Sequence, residues 1–366
     1  MRNVILDARM FCREMELTER LNANNNTNNT NNSSMVSSLL PEEHPSPTLD
    51  LIKASNESDR VPTLKELLKT FPNPIQGRSV HFLPATLIWS VPVEYPMGIC
   101  VLADNRLLLT QSQANAVQLR DRASGRILAT IGLPEGQTWK RPSDVVALAD
   151  GRFGVRDDFG IRIFDDEGGF IMKVGDERLG RCYGLAADGK GHMLTLNTNA
   201  FGFPEKNVTA KGQTDLLYID INTGSIVRQV ELCDIIANAA LSKCRFLHCR
   251  GSKIYVVDLG LDQVYVLDSL KTWVRKFGSS GKFFGQFADP AGLVTDRKGV
   301  TMVADSRNHR VQIFDRLRNF IGFVKFDVPI KRPSAIYLDY ENEGQPVLYV
   351  LNLWGKTAAK YLISMP

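Results

Sequence analysis

From about Arg78 onward the chain is built of short apolar runs rich in Val, Ile, Leu, Phe and Tyr, interrupted by Asp-Gly and related turns. Runs of this length and composition, bounded by turn formers, predict β-strands. LADGRFGV (Leu148–Val155) and AADGKGHML (Ala186–Leu194) each read as two strands joined by a tight hairpin, in which the glycine supplies the positive φ that the turn needs.

The strands recur in register. Laying VADSRNHRVQIFD (Val303–Asp315) over VVDLGLDQVYVLD (Val256–Asp268) places Asp305 on Asp258, Val311 on Val264 and Asp315 on Asp268, an offset of 47 residues. The same frame takes in RDDFGIRIFDD through Asp157, Ile161 and Asp165, TQSQANAVQLRD through Val117 and Asp121, and TDLLYID through Asp220. Six related openings precede these hairpins: YPMGICVL, RPSDVVAL, RCYGLAA, KCRFLHC, DPAGLVT and RPSAIYL. They define six units, at about 96–133, 141–175, 182–232, 244–278, 290–326 and 333–366. The sixth unit holds three strands, AIYLDY, VLYVLN and AAKYLIS, and its missing outer strand is available in ATLIWSV (Ala85–Val91). The pattern predicts an all-β, six-bladed β-propeller over 78–366, closed by an N-terminal strand. A β-sandwich is the competing all-β fold, and repeats in one frame argue against it.

Residues 1–77 have another texture. An Asn-rich tract (NANNNTNNTNNSS) and a Pro/Ser-rich stretch (PEEHPSPT) predict a disordered low-complexity leader, since neither buries enough apolar surface to offset its ordering entropy. Within it, VPTLKELLKTF places Val61, Leu64, Leu67, Leu68 and Phe71 on one face of a possible short helix over 62–71.

Charge and cysteine content add limits. The net charge of +4 is unevenly placed: residues 1–77 carry 8 Lys+Arg and 10 Asp+Glu, leaving 36 and 30 for the rest. Six cysteines without a CxxC pair read as reduced thiols of an intracellular protein. The N-terminus lacks an apolar signal region, and no apolar run approaches the roughly 20 residues of a membrane span, so a cytoplasmic protein without a membrane partner is expected.

Candidate chemistry sits within the repeats. Asp305 falls at the turn from second to third strand, where an aspartate can bond its own loop's backbone and where Arg310 can pair with it. Its recurrence at Asp157 and Asp258 marks it as part of the fold. CRFLHC (Cys244, His248, Cys249) lacks the second cluster that a zinc site needs. His192, His248 and His309 occupy unequal positions in three units, which makes a metal-dependent lyase-type propeller the remote alternative. The sequence offers neither a nucleophile elbow nor a phosphate-binding glycine loop, so no catalytic residue, metal or cofactor is expected.

The residues immediately before the six openings are Tyr95, Arg141, Arg181, Lys243, Asp289 and Arg332. In a propeller these ring one mouth of the central channel, with Lys140, Lys331, Arg307 and His309 beside them. Trp139, Phe201, Phe203 and Trp354 are placed in loops of the same face. A converging basic ring with aromatic side chains suits phosphate or carboxylate groups, stacked bases or an anchored peptide. The competing reading pairs these cations with Glu94, Asp144, Asp176, Glu177 and Asp289.

The fifth unit, FGSSGKFFGQFADPAGLVTDRKGVTMVADSRNHRVQIFDRLRNFIGFV, resembles the NHL repeat. It shows the Gly-Gln-Phe connection, the Pro-x-Gly opening, Asp296 and Gly299 in the first hairpin, and Val-Ala-Asp ahead of Asn308-His309-Arg310-Val-Gln-Ile-Phe. The fourth unit resembles it moderately and the others keep the skeleton. Over 78–366 the chain resembles the tripartite-motif NHL proteins, many of which are ubiquitin ligases with a RING, B-box and coiled coil. Cys12 and His44 do not supply RING ligand spacing. The resemblance therefore implies a non-enzymatic interaction platform recognising protein partners, an adaptor or substrate-recognition module of ubiquitin-linked assemblies. It implies as the alternative a post-transcriptional regulator that binds single-stranded or stem-loop RNA through this face. Within it, Tyr95, Arg141, Arg181 and Arg332 stand where contacts would be made, Asp289 interrupts the ring, and the insertion NTNAFGFPEKNVTAKGQ is the face's most individual loop.

Overall fold

The computed structural model describes residues 80–175, 179, 181–198, 214–232, 242–268, 275–341 and 344–364. The leader over 1–77 and the helix expected over 62–71 lie outside them. The described residues form a propeller-like, all-β arrangement.

Strand β1 (His81–Pro92) comes first. Four separate four-stranded antiparallel sheets follow, each in simple chain order. The first is β2 (Pro96–Val101), β3 (Arg106–Gln111), β4 (Ala116–Asp121) and β5 (Ile127–Thr130). The second is β6 (Asp144–Ala147), β7 (Phe153–Asp157), β8 (Gly160–Phe164) and β9 (Phe170–Val174). The third is β10 (Arg181–Ala187), β11 (His192–Thr198), β12 (Thr214–Asp220) and β13 (Ile226–Glu231). The fourth is β14 (Cys244–Arg250), β15 (Lys253–Asp258), β16 (Gln263–Asp268) and β17 (Arg275–Phe277). The fifth set is β18 (Pro290–Thr295), β19 (Thr301–Asp305), β20 (Arg310–Phe314) and β21 (Phe320–Phe326). The sixth is β22 (Pro333–Glu341), β23 (Gln345–Asn352) and β24 (Thr357–Ile363), completed by β1. These last two sets are joined into one eight-stranded sheet, ordered β18-β19-β20-β21-β1-β24-β23-β22.

The leading strands pack in a cycle: β2 on β6, β6 on β10, β10 on β14, β14 on β18, β18 on β22, and β22 back on β2. The hydrophobic core therefore lies between neighbouring sets. Leu108, Val117 and Leu119 of the first meet Val145, Phe153 and Phe164 of the second. Leu107 and Leu109 meet Tyr349 and Leu351 of the sixth across the closing seam. Middle strands such as β3 and β19 are buried along their length, which explains their near-continuous apolar character.

The closing strand was expected over Ala85–Val91, and β1 covers it by pairing antiparallel with β24, from Ala85↔Ile363 to Pro92↔Thr357. What the pattern did not reveal is its second partner. Residues His81–Ala85 also pair parallel with Gly322–Phe326 of β21. Ala85 is the hand-over point, and the Asp327 carboxylate accepts the Leu87 N–H there at 2.9 Å. Gly322 permits the approach, since a Cβ at that position would lie 2.0 Å from the His81 carbonyl oxygen.

Candidate functional site

In every set the start of the first strand, the end of the second and the start of the third lie at one edge, as the pairs Pro290↔Asp305 and Asp305↔Arg310 illustrate. The loops joining them form one face of the ring, and two devices repeat around it.

The first device is a buried side chain at the end of the second strand. Asp157 and Asp305 are 1% and 0% exposed and Asp258 is 0%. Asp305 accepts the Ala288 N–H at 2.7 Å, the Arg310 Nε–H at 2.7 Å and the Gln312 amide at 2.9 Å. Asp258 takes the N–H groups of Lys243, Gly260 and Leu261 at 2.7, 2.9 and 3.2 Å. Asp157 takes those of Lys140 and Phe159 at 3.1 and 2.9 Å, and pairs with Arg162 at 2.8 Å. Gln111 and Asn352 perform the same service for the N–H groups of Glu94 and Lys331. Burial pushes the Asp305 carboxyl up and the Arg310 guanidinium down, and each opposes the other's shift. The recurring aspartate is thus a tie between loop and strand. At Asp305 the partners within its own loop are the side chains of Asn308 and Arg310.

The second device uses the backbone. Tyr95, Arg141, Asp289 and Arg332 all have positive φ, 47°, 48°, 50° and 50°, a conformation uncommon for non-glycine residues. So do Asn115, Asp262, His309 and Lys356, one residue ahead of a third strand. The two positions interlock between neighbouring sets. Asn115 Oδ1 accepts the Arg141 N–H at 2.7 Å, Asp262 Oδ1 the Asp289 N–H at 2.9 Å, and His309 Nδ1 the Arg332 N–H at 2.8 Å. Across the seam the Lys356 ammonium lies 5.4 Å from the centre of the Tyr95 ring. Acceptance by His309 Nδ1 fixes its proton on Nε2.

These devices decide which expected side chains are available. Tyr95 and Arg332 are each only 7% exposed. Arg332 binds Asp289 at 3.1 Å and lies 5.0 Å from the centre of the Trp354 ring, which also packs on His309. Arg307 meets the same carboxylate at 2.9 Å while its side chain stays 63% exposed. Asp289 therefore clamps two cations together, where the sequence suggested a gap in the ring. Arg141 pairs with Asp158 at 2.7 Å, so the anticipated charge pairing occurs, with a different acid. Lys243 is half-buried, and its N–H goes to Asp258 as that of Lys140 goes to Asp157. Its register is thus that of Lys140 and Lys331. Arg181 opens β10 opposite Thr198.

Lys140 and Lys331 are exposed, and Lys140 lies 5.1 Å from the centre of the Phe159 ring, itself 49% exposed. Trp354 is 38% exposed. Trp139, expected in the loop surface, is a core residue: it is 8% exposed, its Nε1–H bonds the Ile131 carbonyl at 2.8 Å, and it packs on Phe164. Phe201, Phe203, Asp176 and Glu177 lie outside the described residues. Phe159 was missed because a phenylalanine beside Asp-Asp reads as one more strand residue. Only the turn geometry turns it outward.

The three histidines sit at different levels. His192 starts β11 and bonds Asp188 at 2.8 Å. His248 lies within β14, where its Nε2 accepts the Thr295 N–H at 3.2 Å. His309 is on the face described above. Burial lowers His248 to about 4 and pushes the Cys244 and Cys249 thiols up.

Fold and repeat together define a propeller-like scaffold carrying an NHL repeat, the family model that residues 287–314 match. Around that segment the chain is similar to tripartite-motif NHL proteins. It is 44% identical over 45 residues to the B-box type zinc finger protein ncl-1 of Caenorhabditis elegans and 44% over 45 residues to the protein brain tumor of Drosophila melanogaster. Each match takes in 12% of this chain, and only 5% and 4% of those proteins. Among solved structures, a catalytically inactive virginiamycin B lyase from Staphylococcus aureus, with quinupristin, overlays with a TM-score of 0.52. That overlay covers 75% of this chain and 86% of the lyase at 15% identity, a likeness of fold alone. Among the described residues, no helix is long and apolar enough to cross a membrane.

Proposed function

We propose that residues 78–366 form a six-bladed NHL propeller, the eight-stranded sheet being two blades fused through β1, behind a low-complexity leader over 1–77. It acts without catalysis of its own, in the cytoplasm, as a platform for protein partners, in the manner of an adaptor or substrate-recognition module of ubiquitin-linked assemblies. The observation that supports this reading is the pairing of exposed aromatics with cations on one face: Phe159 with Lys140, and Trp354 with Arg332. Large amphipathic rings anchored by neighbouring charge are what interface hot spots use. The internal pairing of Arg332 with Asp289 and of Arg141 with Asp158 weakens the case for a polyphosphate track and favours the protein reading over RNA.

Crosslinking in cells, scoring proteins and RNA from one pulldown, tests the choice. A protein complex should survive a rise in salt and fall at least about tenfold in affinity on Phe159→Ala with Trp354→Ala. Recovery of RNA with a steep salt dependence, lost on Lys140→Glu with Lys331→Glu, would replace the protein reading by the RNA one.

A further inference from the structure

The first described residues of the chain run along the outer strand of the fifth set, over a cluster of phenylalanines. Phe82 of β1 stacks on Phe323 of β21 with ring centres 6.1 Å apart. Phe284, in the connection from β17 to β18, stacks on Phe320 at 5.1 Å and meets Phe323 edge-on at 5.4 Å. Phe320 and Phe323 are buried, whereas Val80, Phe82 and Phe284 are half-buried against them. Phe283, next to Phe284 in the chain, is 52% exposed. The connection is tied to the fifth set: the Phe283 carbonyl accepts from Arg310 Nη2 at 2.9 Å, and the Gly285 N–H donates to Gln312 Oε1 at 2.9 Å. This apolar surface is therefore set by the strands beneath it, and an aromatic patch of that kind marks a contact surface.

The chain carries a matching segment within reach. VPTLKELLKTF (61–71) repeats apolar residues at Val61, Leu64, Leu68 and Phe71, one stripe of a helix, with Leu67 alongside. A helix this short is marginal in water by itself, so such a stripe needs a surface to rest on. Eight residues, PNPIQGRS (72–79), join Phe71 to Val80. Fully extended they reach at most about 30 Å. The stripe is thus tethered beside the patch at an effective concentration on the order of millimolar, against which any outside occupant must compete.

We infer that residues 61–71 form an amphipathic helix that packs Leu64, Leu68 and Phe71 on the patch of Val80, Phe82, Phe283 and Phe284. This clasp covers the end of β1 that pairs parallel with β21, His81–Ala85, and secures the strand that completes the sixth set. The contact lies within one chain and needs no outside partner, so it stands or falls apart from the platform role.

The experiment is photo-crosslinking of the full chain carrying Phe283→p-benzoylphenylalanine, with the adducts mapped by mass spectrometry. An adduct within one chain, to residues 61–71, is expected at a yield independent of protein concentration. Leu64→Asp with Leu68→Asp should cut that yield at least about tenfold, as loss of two buried leucines does. Glu66→Gln, on the opposite side of the helix, should leave it unchanged. Amide hydrogen exchange over 64–71 should be at least about tenfold slower in the parent than in the double aspartate variant. Should the substitution at Phe283 prevent folding, the exposed neighbour Lys282 carries the crosslinker instead. Adducts joining two copies, adducts to another protein, or a yield indifferent to the two aspartates overturn the clasp. Absence of any adduct to 61–71 from both positions overturns it as well.

Discussion

The two sides of the face spend similar residues differently. Where the fifth, sixth and first sets meet, each charged or aromatic group has a neighbour of matching chemistry: Arg332 and Arg307 share Asp289, His309 receives the Arg332 N–H, and Lys356 covers Tyr95. Where the second, third and fourth meet, Arg156 and Arg245 both lie against the Tyr183 ring and Asp144 binds backbone N–H groups. A count of Lys and Arg treats the two sides as alike. The inventory of partners separates them into a side held by ion pairs and a side held by cation–π contacts and backbone bonds.

The largest test of that contrast is Asp305→Ala on the ion-paired side. It takes the carboxylate away from the buried Arg310 Nε–H and Ala288 N–H, leaving the guanidinium only the Phe283 and Gln286 carbonyls, and should cost about 3–5 kcal/mol in denaturant titration. A loss under about 1 kcal/mol would mean the tie is replaceable by water.

Next comes pH, which probes enclosed groups of the second and fourth sets. His248 is lowered to about 4, so the unfolded chain takes up a proton below about 6.5 that the folded chain refuses. Stability is therefore lost as pH falls from about 6.5 to 4, by about 3 kcal/mol. Asp144 is raised to about 7 and has the opposite sign: its contribution is fully present below about 4 and disappears as pH rises through 7. The two slopes oppose each other in one window, so the parent protein should show a shallow profile. Asp144→Asn should unmask acid lability, and His248→Gln should leave stability declining toward neutral pH. Chemical denaturation between pH 4 and 7.5 checks both, and unchanged slopes would show that neither group is enclosed as described.

Smaller again is Arg332→Ala, which removes a buried cation from between Asp289 and Trp354 and should cost about 2 kcal/mol. Smallest in stability are Lys140→Ala and Lys331→Ala, within about 0.5 kcal/mol of the parent. If either unfolds the protein, its side chain belongs to the scaffold and leaves the interface.

Much of this was readable in the sequence because it depends on periodicity. The frame set by Asp305 and Asp258 located the strand sets, and the shortfall of the sixth pointed to Ala85–Val91 as its fourth strand. The parallel join of β1 to β21 was not readable, since its cue is one missing Cβ at Gly322 among strand residues. The left-handed positions at Arg141 and Arg332 carry no compositional mark, because the interlocking bonds impose a conformation that those residues do not prefer alone. The turn positions at Tyr95, Arg141, Asp289 and Arg332 share one conformation, with Lys243 one place out of that register, yet burial of Tyr95, Arg332 and Trp139 depends on neighbours far away in sequence, which spacing cannot report.

The double pairing of β1 also bears on synthesis. His81 must wait for Gly322, about 240 residues later, before its parallel partner exists. At ribosomal rates of ~5–20 residues per second, that is roughly 12–50 s during which the strand has neither neighbour. The last fold-forming event of this chain is thus assigned to its earliest described strand, so ring closure follows translation of the sixth set. A chaperone holding one short segment near residue 81 could delay the entire assembly.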